Sequence, residues 1–326
     1  MKKRLRLYII ILLIIIFSFI GWNVYRYIPH SPMEDLEYKQ AILHDSKNIT
    51  YTIEALRPIM GPEELKNFIK SNDKNPDIYT PAQENVKRGI YRANLHSHTT
   101  NSDGVPTVEF RMNMAQTYAN KNLKDGYMLI AITDHNTVLG AKSVIENLQR
   151  HKYEDRSKYD KIRVVLGMEI NTEFHNSKII DTPVQIHVLT WCINPYDKFL
   201  EKEFYKKDLN DKWNRKLPDR DFDWIITTMS EYGIVGIAHP ARYTTFMKEK
   251  KYPYITEMLT RYKNLTTNIP FAEGYYQSYK VTSTGPNLGD EYDKYINHIN
   301  SESERLGINR TGSTDAHGNS IFTYRQ

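Results

Sequence analysis

Apolar and polar positions fall into short alternating blocks from about residue 89 onward. Seven runs rich in β-branched and aromatic residues predict strands at 91–98 (YRANLHSH), 127–135 (YMLIAITDH), 162–170 (IRVVLGMEI), 184–191 (VQIHVLTW), 233–240 (GIVGIAHP), 270–276 (PFAEGYY) and 309–317 (NRTGSTDAH). Stretches with apolar residues at helical spacing lie between them, at 107–123, 138–151, 223–233, 254–265 and 289–307. Thr107 stands where an N-cap belongs, and Gly233 and Gly307 where C-caps belong. Strand–helix alternation of this kind predicts an α/β fold with parallel strands. Seven strands within one domain suit a closed or nearly closed barrel better than an open two-domain sheet.

The pattern differs upstream. Residues 7–22 (LYIIILLIIIFSFIGW) are apolar on every face and follow the basic run KKRLR. This is slightly short for a full span, but Arg6 can snorkel at one end, and Trp22 and Tyr25 can sit in the interface at the other. A cleaved signal peptide has the same outline, yet the bulky sequence GWNVYRYIPH offers no small-residue cleavage site. The expectation is an uncleaved single-pass anchor over residues 1–28. The excess of positive charge before the helix would leave the remainder on the non-cytoplasmic, extracellular side. Residues 29–88 read as a stalk and a leading helical piece, with a short helix in GPEELKNFIKSND. Residues 89–326 form the main domain.

Charge and composition add limits. The formal net charge is +5, and residues 1–28 hold five bases and no acids. The remainder is therefore formally neutral, which disfavours nucleic acid as a substrate. Cys192 is the sole cysteine, so an intrachain disulfide and a thiolate metal cluster are both excluded.

The chemistry-bearing residues collect at the predicted strand ends. His96 and His98 end the first strand, Asp134 and His135 the second, and Glu169 the third. His187 lies in the fourth, His239 ends the fifth, and Asp315 and His317 end the last. The C-terminal ends of barrel strands form one rim, where functional groups gather. His96-x-His98 and Asp315-x-His317 each place two side chains on the same side of a strand, so that they can grip one ion. So many imidazoles and carboxylates exceed what one ion needs. Two or three divalent metals (zinc, manganese or iron) are expected, with Glu169 as the shared carboxylate. Asp134 is a candidate catalytic group that orients His135 or its neighbours, and Glu273 a residue lining the pocket. Arg242 is a candidate phosphate clamp, because guanidinium pairs with phosphate in a fork.

In this order, NLHSHTTNSDG, ITDHNTVLG, GMEI, HVL, AHPAR and STDAH resemble the polymerase-and-histidinol-phosphatase (PHP) superfamily. The resemblance covers roughly residues 90–318. It implies a distorted seven-stranded (β/α)7 barrel, a trinuclear metal centre and phosphoester hydrolysis. His96, His98, Glu169 and Asp315 would hold one metal, and Asp103, His135 and His317 a second. His187 and His239 would hold a third, with Glu169 bridging. Some members of the family carry His where this chain has Asp103. The SDG form is similar to small phosphoesterases such as nucleoside 3′,5′-bisphosphate phosphatases, so a small phosphorylated substrate is expected. An amidohydrolase-like enzyme and a non-catalytic metal-binding module are the competing readings.

Overall fold

A computed structural model describes residues 58–73, 90–123, 126–154, 158–176, 178–179, 183–204, 220–240, 250–276 and 289–318. All of them belong to the unit Thr50–Gln326. The proposed anchor and Arg242 lie outside the described residues. Among the described residues no helix is long and apolar enough to cross a membrane.

Helix α1 (Pro62–Asp73) precedes strand β1 (Ile90–Asn94). There follow α2 (Val108–Asn122), β2 (Tyr127–Ile132), α3 (Leu139–Glu154), β3 (Ile162–Phe174) and β4 (Val184–Trp191). The second half runs α4 (Lys198–Phe204), α5 (Phe222–Tyr232), β5 (Ile234–Ala238), α6 (Lys251–Leu265), β6 (Phe271–Tyr276), α7 (Gly289–Leu306) and β7 (Asn309–Ser313). Local chemistry accounts for several boundaries. The Thr107 side chain accepts from the Phe110 amide and caps α2. Gly307, at φ +65°, ends α7 in a left-handed conformation that costs a glycine little.

The seven strands lie in chain order in one nearly closed, barrel-like sheet. Strand alternation sorts their side chains. Ile130, Val164, Val188 and Ile237 face outward, into the layer formed with Met112, Ile145, Ile226 and Met258 of the helices. Leu129, Val165, Leu189, Trp191, Ile234 and Phe271 face inward. Trp191 and Phe271 stack there with ring centroids 3.9 Å apart.

Two features depart from the expected pattern. β4 runs antiparallel to both β3 and β5, whereas the alternation predicts parallel strands throughout. The link between β3 and β4 explains this: residues 175–183 are too few for the crossover a parallel pair needs. β3 also extends four residues past the predicted end, through the polar run NTEF, because those residues pair with β4.

The second feature is a plug. Pro58 and Met60 exchange backbone hydrogen bonds with Val164, on a stretch of β3 that lies beyond its pairing with β4. Met60, Leu65, Phe68 and Ile69 then enter the inward apolar cluster. Burying each such side chain contributes about 1.5–3 kcal/mol. The short predicted helix is therefore part of the barrel's core.

Candidate metal centre

At the opposite end of the interior, the same inward positions turn polar. On β3, Val165 is followed on the same face by Gly167, Glu169 and Asn171. β4 descends from the rim, so its inward sequence His187, Leu189, Trp191 runs from polar to apolar. His187 reaches the rim from near the start of its strand because that strand is reversed.

His96 and His98 lie just past β1. Between them, Ser97 turns the other way, donating through Oγ to the Ala131 carbonyl at 2.6 Å. Both imidazoles are thereby left facing the interior, fully buried. The loop that follows is tightly wound. A Cβ on Gly104 would meet the His98 carbonyl carbon at 2.4 Å, so the SDG turn needs a residue without a side chain. His239 and Asp315 have φ +26° and +47°, a region that L-residues enter at a cost and that recurs at functional sites.

Four ligand atoms converge. His96 Nε2 lies 3.0 Å from Glu169 Oε2, 3.1 Å from His98 Nε2 and 3.3 Å from Asp315 Oδ1. His98 Nε2 lies 3.1 Å from Glu169 Oε2 and 2.9 Å from Asp315 Oδ1. All four atoms lie within 4.8 Å of one another, close enough for one ion with bonds of about 2 Å, the length of a zinc–imidazole or zinc–carboxylate bond, to reach among them. One ring proton can satisfy at most one of these contacts.

Glu169 serves more than this group. Its Oε1 lies 2.7 Å from His187 Nδ1 and 3.0 Å from His239 Nε2. Its Oε2 lies 3.3 Å from His135 Nε2. Asp103 forms a further centre, 3.0 Å from His317 Nε2 and 3.6 Å from both His135 Nε2 and His98 Nδ1. His98 Nδ1 is buried and has no hydrogen-bond partner. Among the described residues three groups could therefore hold metal ions: His96, His98, Glu169 and Asp315; His98, Asp103, His135 and His317; and His135, Glu169 and His187. The geometry adds His98 to the second set and His135 to the third, relative to the sets that the family resemblance implies. His239 approaches Glu169 and, at 4.0 Å, Asp315.

The electrostatics call for positive charge. Glu169, Glu273 and Asp315 are buried carboxylates within one pocket. Burial opposes charge on His96, yet Glu169, Glu273 and Asp315 outweigh it and raise its pKa well above the usual value. Burial likewise opposes charge on His98, but the hydrogen bonds it makes to Asp315 and Glu169 push it up to about 10. Burial would raise Glu169, but His135, His96 and His187 hold it well below the carboxylate range. His135 goes the other way. Burial, with His98 adding to it against the pull of Glu169, lowers it to about 4, so its ring stays neutral and able to donate a lone pair. The donor set and its spacing fit divalent metal ions.

The family model described as PHP domain matches residues 94–311. The chain belongs to the PHP domain family. No curated protein matches it.

The PHP centre is supported by residues that fix each imidazole. Glu273 Oε1 accepts from His96 Nδ1 at 3.0 Å, and Oε2 from the His239 amide at 2.8 Å. Asn171 Oδ1 takes His135 Nδ1 at 2.9 Å, and the Asp315 carbonyl takes His317 Nδ1 at 2.8 Å. With the outer nitrogen donating, each inner Nε2 is the atom left to offer a lone pair to a metal ion. The Gln185 amide lies 3.2 Å from His187 Nε2. Sequence reading places Glu273 at the pocket wall but gives it no partner, and it misses Asn171 and Gln185. The available signal is strand parity: each of these two lies two residues from a candidate ligand, on the same face.

Asp134 faces away from this group. It accepts from the Thr99 amide, the Thr99 hydroxyl and the Ser102 hydroxyl at 2.6–2.7 Å. Its carboxylate thus fastens the loop that carries Asp103, where the sequence reading has it orienting His135 or its neighbours. His175 is exposed, and His298 bonds Thr256 and the Tyr252 carbonyl on the helical layer, away from the centre.

Proposed function

We propose that this chain is a metal-dependent phosphoesterase acting on a small phosphorylated substrate. The observation that carries the proposal is the convergence of ligand atoms of His96, His98, Glu169 and Asp315 within 4.8 Å of one another, beside two further His/Asp/Glu groups. Two or three divalent ions (zinc, manganese or iron) would be held by His96, His98, Asp103, His135, Glu169, His187, His239, Asp315 and His317. Bound there, such ions would make water acidic enough to act as a nucleophile near neutral pH and would neutralise phosphoryl oxygens.

The protein's own groups would do the rest. Glu169 presents each oxygen to a different set of imidazoles, which makes it the shared carboxylate. Glu273, Asn171 and the Asp315 carbonyl hold His96, His135 and His317 in the tautomer that leaves Nε2 as the inner donor. His317 is the most open of these residues, with its side chain 30% exposed, so substrate would approach across His317 and Asp103. Arg242 is proposed as the phosphate clamp. The N-terminal segment 1–28 is proposed to tether this domain to the non-cytoplasmic face of a membrane, on the strength of its apolar run and basic flank.

The test uses the full chain purified in mild detergent without chelators. Metal analysis should find two or three divalent ions per chain. Hydrolysis of p-nitrophenyl phosphate and of bis-p-nitrophenyl phosphate should vanish on chelation and return with metal. Activity indifferent to chelation would end the proposal. Cleavage of an amide panel in place of both esters would move it to an amidohydrolase.

A further inference from the structure

β1 and β7 are the two edges at which the barrel must close, and among the described residues no strand ladder joins them. Their extensions meet at a single bridge, Ser97 with Ala316. The His98 amide donates to the Ala316 carbonyl at 3.0 Å, and the Ala316 amide reaches the His96 carbonyl at 3.4 Å. This thin seam carries His96, His98, Asp315 and His317, and four proposed ligands thus depend on its register.

Arg111 lies across the seam. It projects from α2, is 1% exposed, and directs one guanidinium nitrogen at both edges. Nη2 donates to the His98 carbonyl at 2.8 Å and to the Ala316 carbonyl at 2.7 Å. One carbonyl belongs to a proposed ligand, and the other lies between Asp315 and His317. Burial lowers the guanidinium to about 10, against the opposing charge of Asp134, which fastens the adjoining loop. A buried guanidinium is costly unless its hydrogen bonds are made, so its presence here asks for a purpose beyond filling space.

We propose that Arg111 is a positioning residue of the metal centre, stapling β1 to β7 so that His98 and Asp315 are held at ligand spacing. The inference rests on the metal-centre reading above. Arg111 touches no reacting group; it acts through the backbone of the residues that do.

Zinc affinity of the full chain, measured by competition with a fluorescent chelator, tests this alongside thermal unfolding of the metal-free protein. Arg111→Met should weaken zinc binding about 10–100-fold, the range for residues that support ligands without touching metal. Arg111→Lys keeps the charge with a less directed donor, and should lose less than Met. Ile145→Ala, on the core-facing side of α3, serves as the comparator: it should lower the unfolding temperature while keeping wild-type zinc affinity. Wild-type affinity in a folded Arg111→Met would overturn the inference. So would a loss of zinc in Ile145→Ala equal to that in Arg111→Met. If Arg111→Met fails to fold, Arg111→Lys decides by the same criterion, and failure of both to fold would make the residue a fold determinant instead. A wild-type chain that holds no zinc, manganese or iron defeats the metal-centre reading itself, a result distinct from all of these.

Discussion

The two ends of the barrel interior are built from the same strands on the same side-chain parity, yet one is hydrocarbon and the other is imidazole and carboxylate. At the lower end, Leu129, Val165, Leu189, Trp191 and Phe271 close on Leu65, Phe68 and Ile69 of the plug. At the upper end, positions one or two steps along the same faces hold Glu169, His187 and Glu273. The lower end satisfies itself by packing. The upper end brings together lone pairs that repel one another unless a cation lies among them. An apolar floor keeps the polar end at low dielectric, which strengthens each electrostatic contact there and makes an uncompensated charge expensive.

The largest expected effect comes from breaking the upper end. Glu169→Gln removes the carboxylate shared by five imidazoles and should lower phosphoester turnover by more than about 100-fold, beyond the usual cost of a merely supporting residue. Its circular dichroism should remain that of the wild type. A variant with a tenth or more of normal activity would show that the polar end is not organised around Glu169.

Breaking the lower end should read out differently. Leu65→Ala leaves a void in the plug and should cost about 2–5 kcal/mol in denaturant unfolding, with KM for p-nitrophenyl phosphate unchanged. A shift in KM without loss of stability would mean that the two ends are not separable.

Glu273→Gln sharpens the boundary between them. The amide can no longer act as a full-charge acceptor for His96 Nδ1 and the His239 amide together. Metal affinity should fall about 10–100-fold, with stability of the metal-free protein little changed. Dialysis against graded chelator would detect it.

The smallest effect is a report from the floor. Burial pushes the Cys192 thiol up to about 12, and its Sγ lies 3.7 Å from the Met60 carbonyl of the plug segment. At pH 8 the thiol should be protonated and react slowly with iodoacetamide, more slowly than in urea. The rate should rise as pH climbs toward that value, and at fixed pH it should rise in Leu65→Ala. Equal rates in native and unfolded protein would contradict a sealed lower end.

Much of the site was legible along the chain because strand parity is a local rule. The i, i+2 spacing of His96 and His98 puts both imidazoles on one side, whereas Asp315 and His317 lie past β7 with Asp315 at φ +47°, so their placement owes more to the turn than to strand parity; the side chains of six of the eleven histidines fall within the cluster the strand-end reading anticipated. Thr107 announces α2 by its hydroxyl, and the apolar runs announce seven strands. Residues with equally local signals but distant partners were harder to read. Asn171 lies in a polar stretch that resembles a loop until β4 pairs with it. Asp134 sits beside His135 in sequence, yet its hydrogen bonds go to Thr99 and Ser102.

The sequence by itself therefore determined which segments become strands and helices, which face each strand turns inward, and which residue types meet at the rim. Those properties follow from neighbours a few positions apart. The tertiary structure decided the direction of β4, the insertion of residues 58–73 beneath the barrel, the pairing of Glu273 with His96 and the place of Arg111 across the seam. Each of these joins groups far apart along the chain, so it exists only once the sheet has curled and its two edges have met.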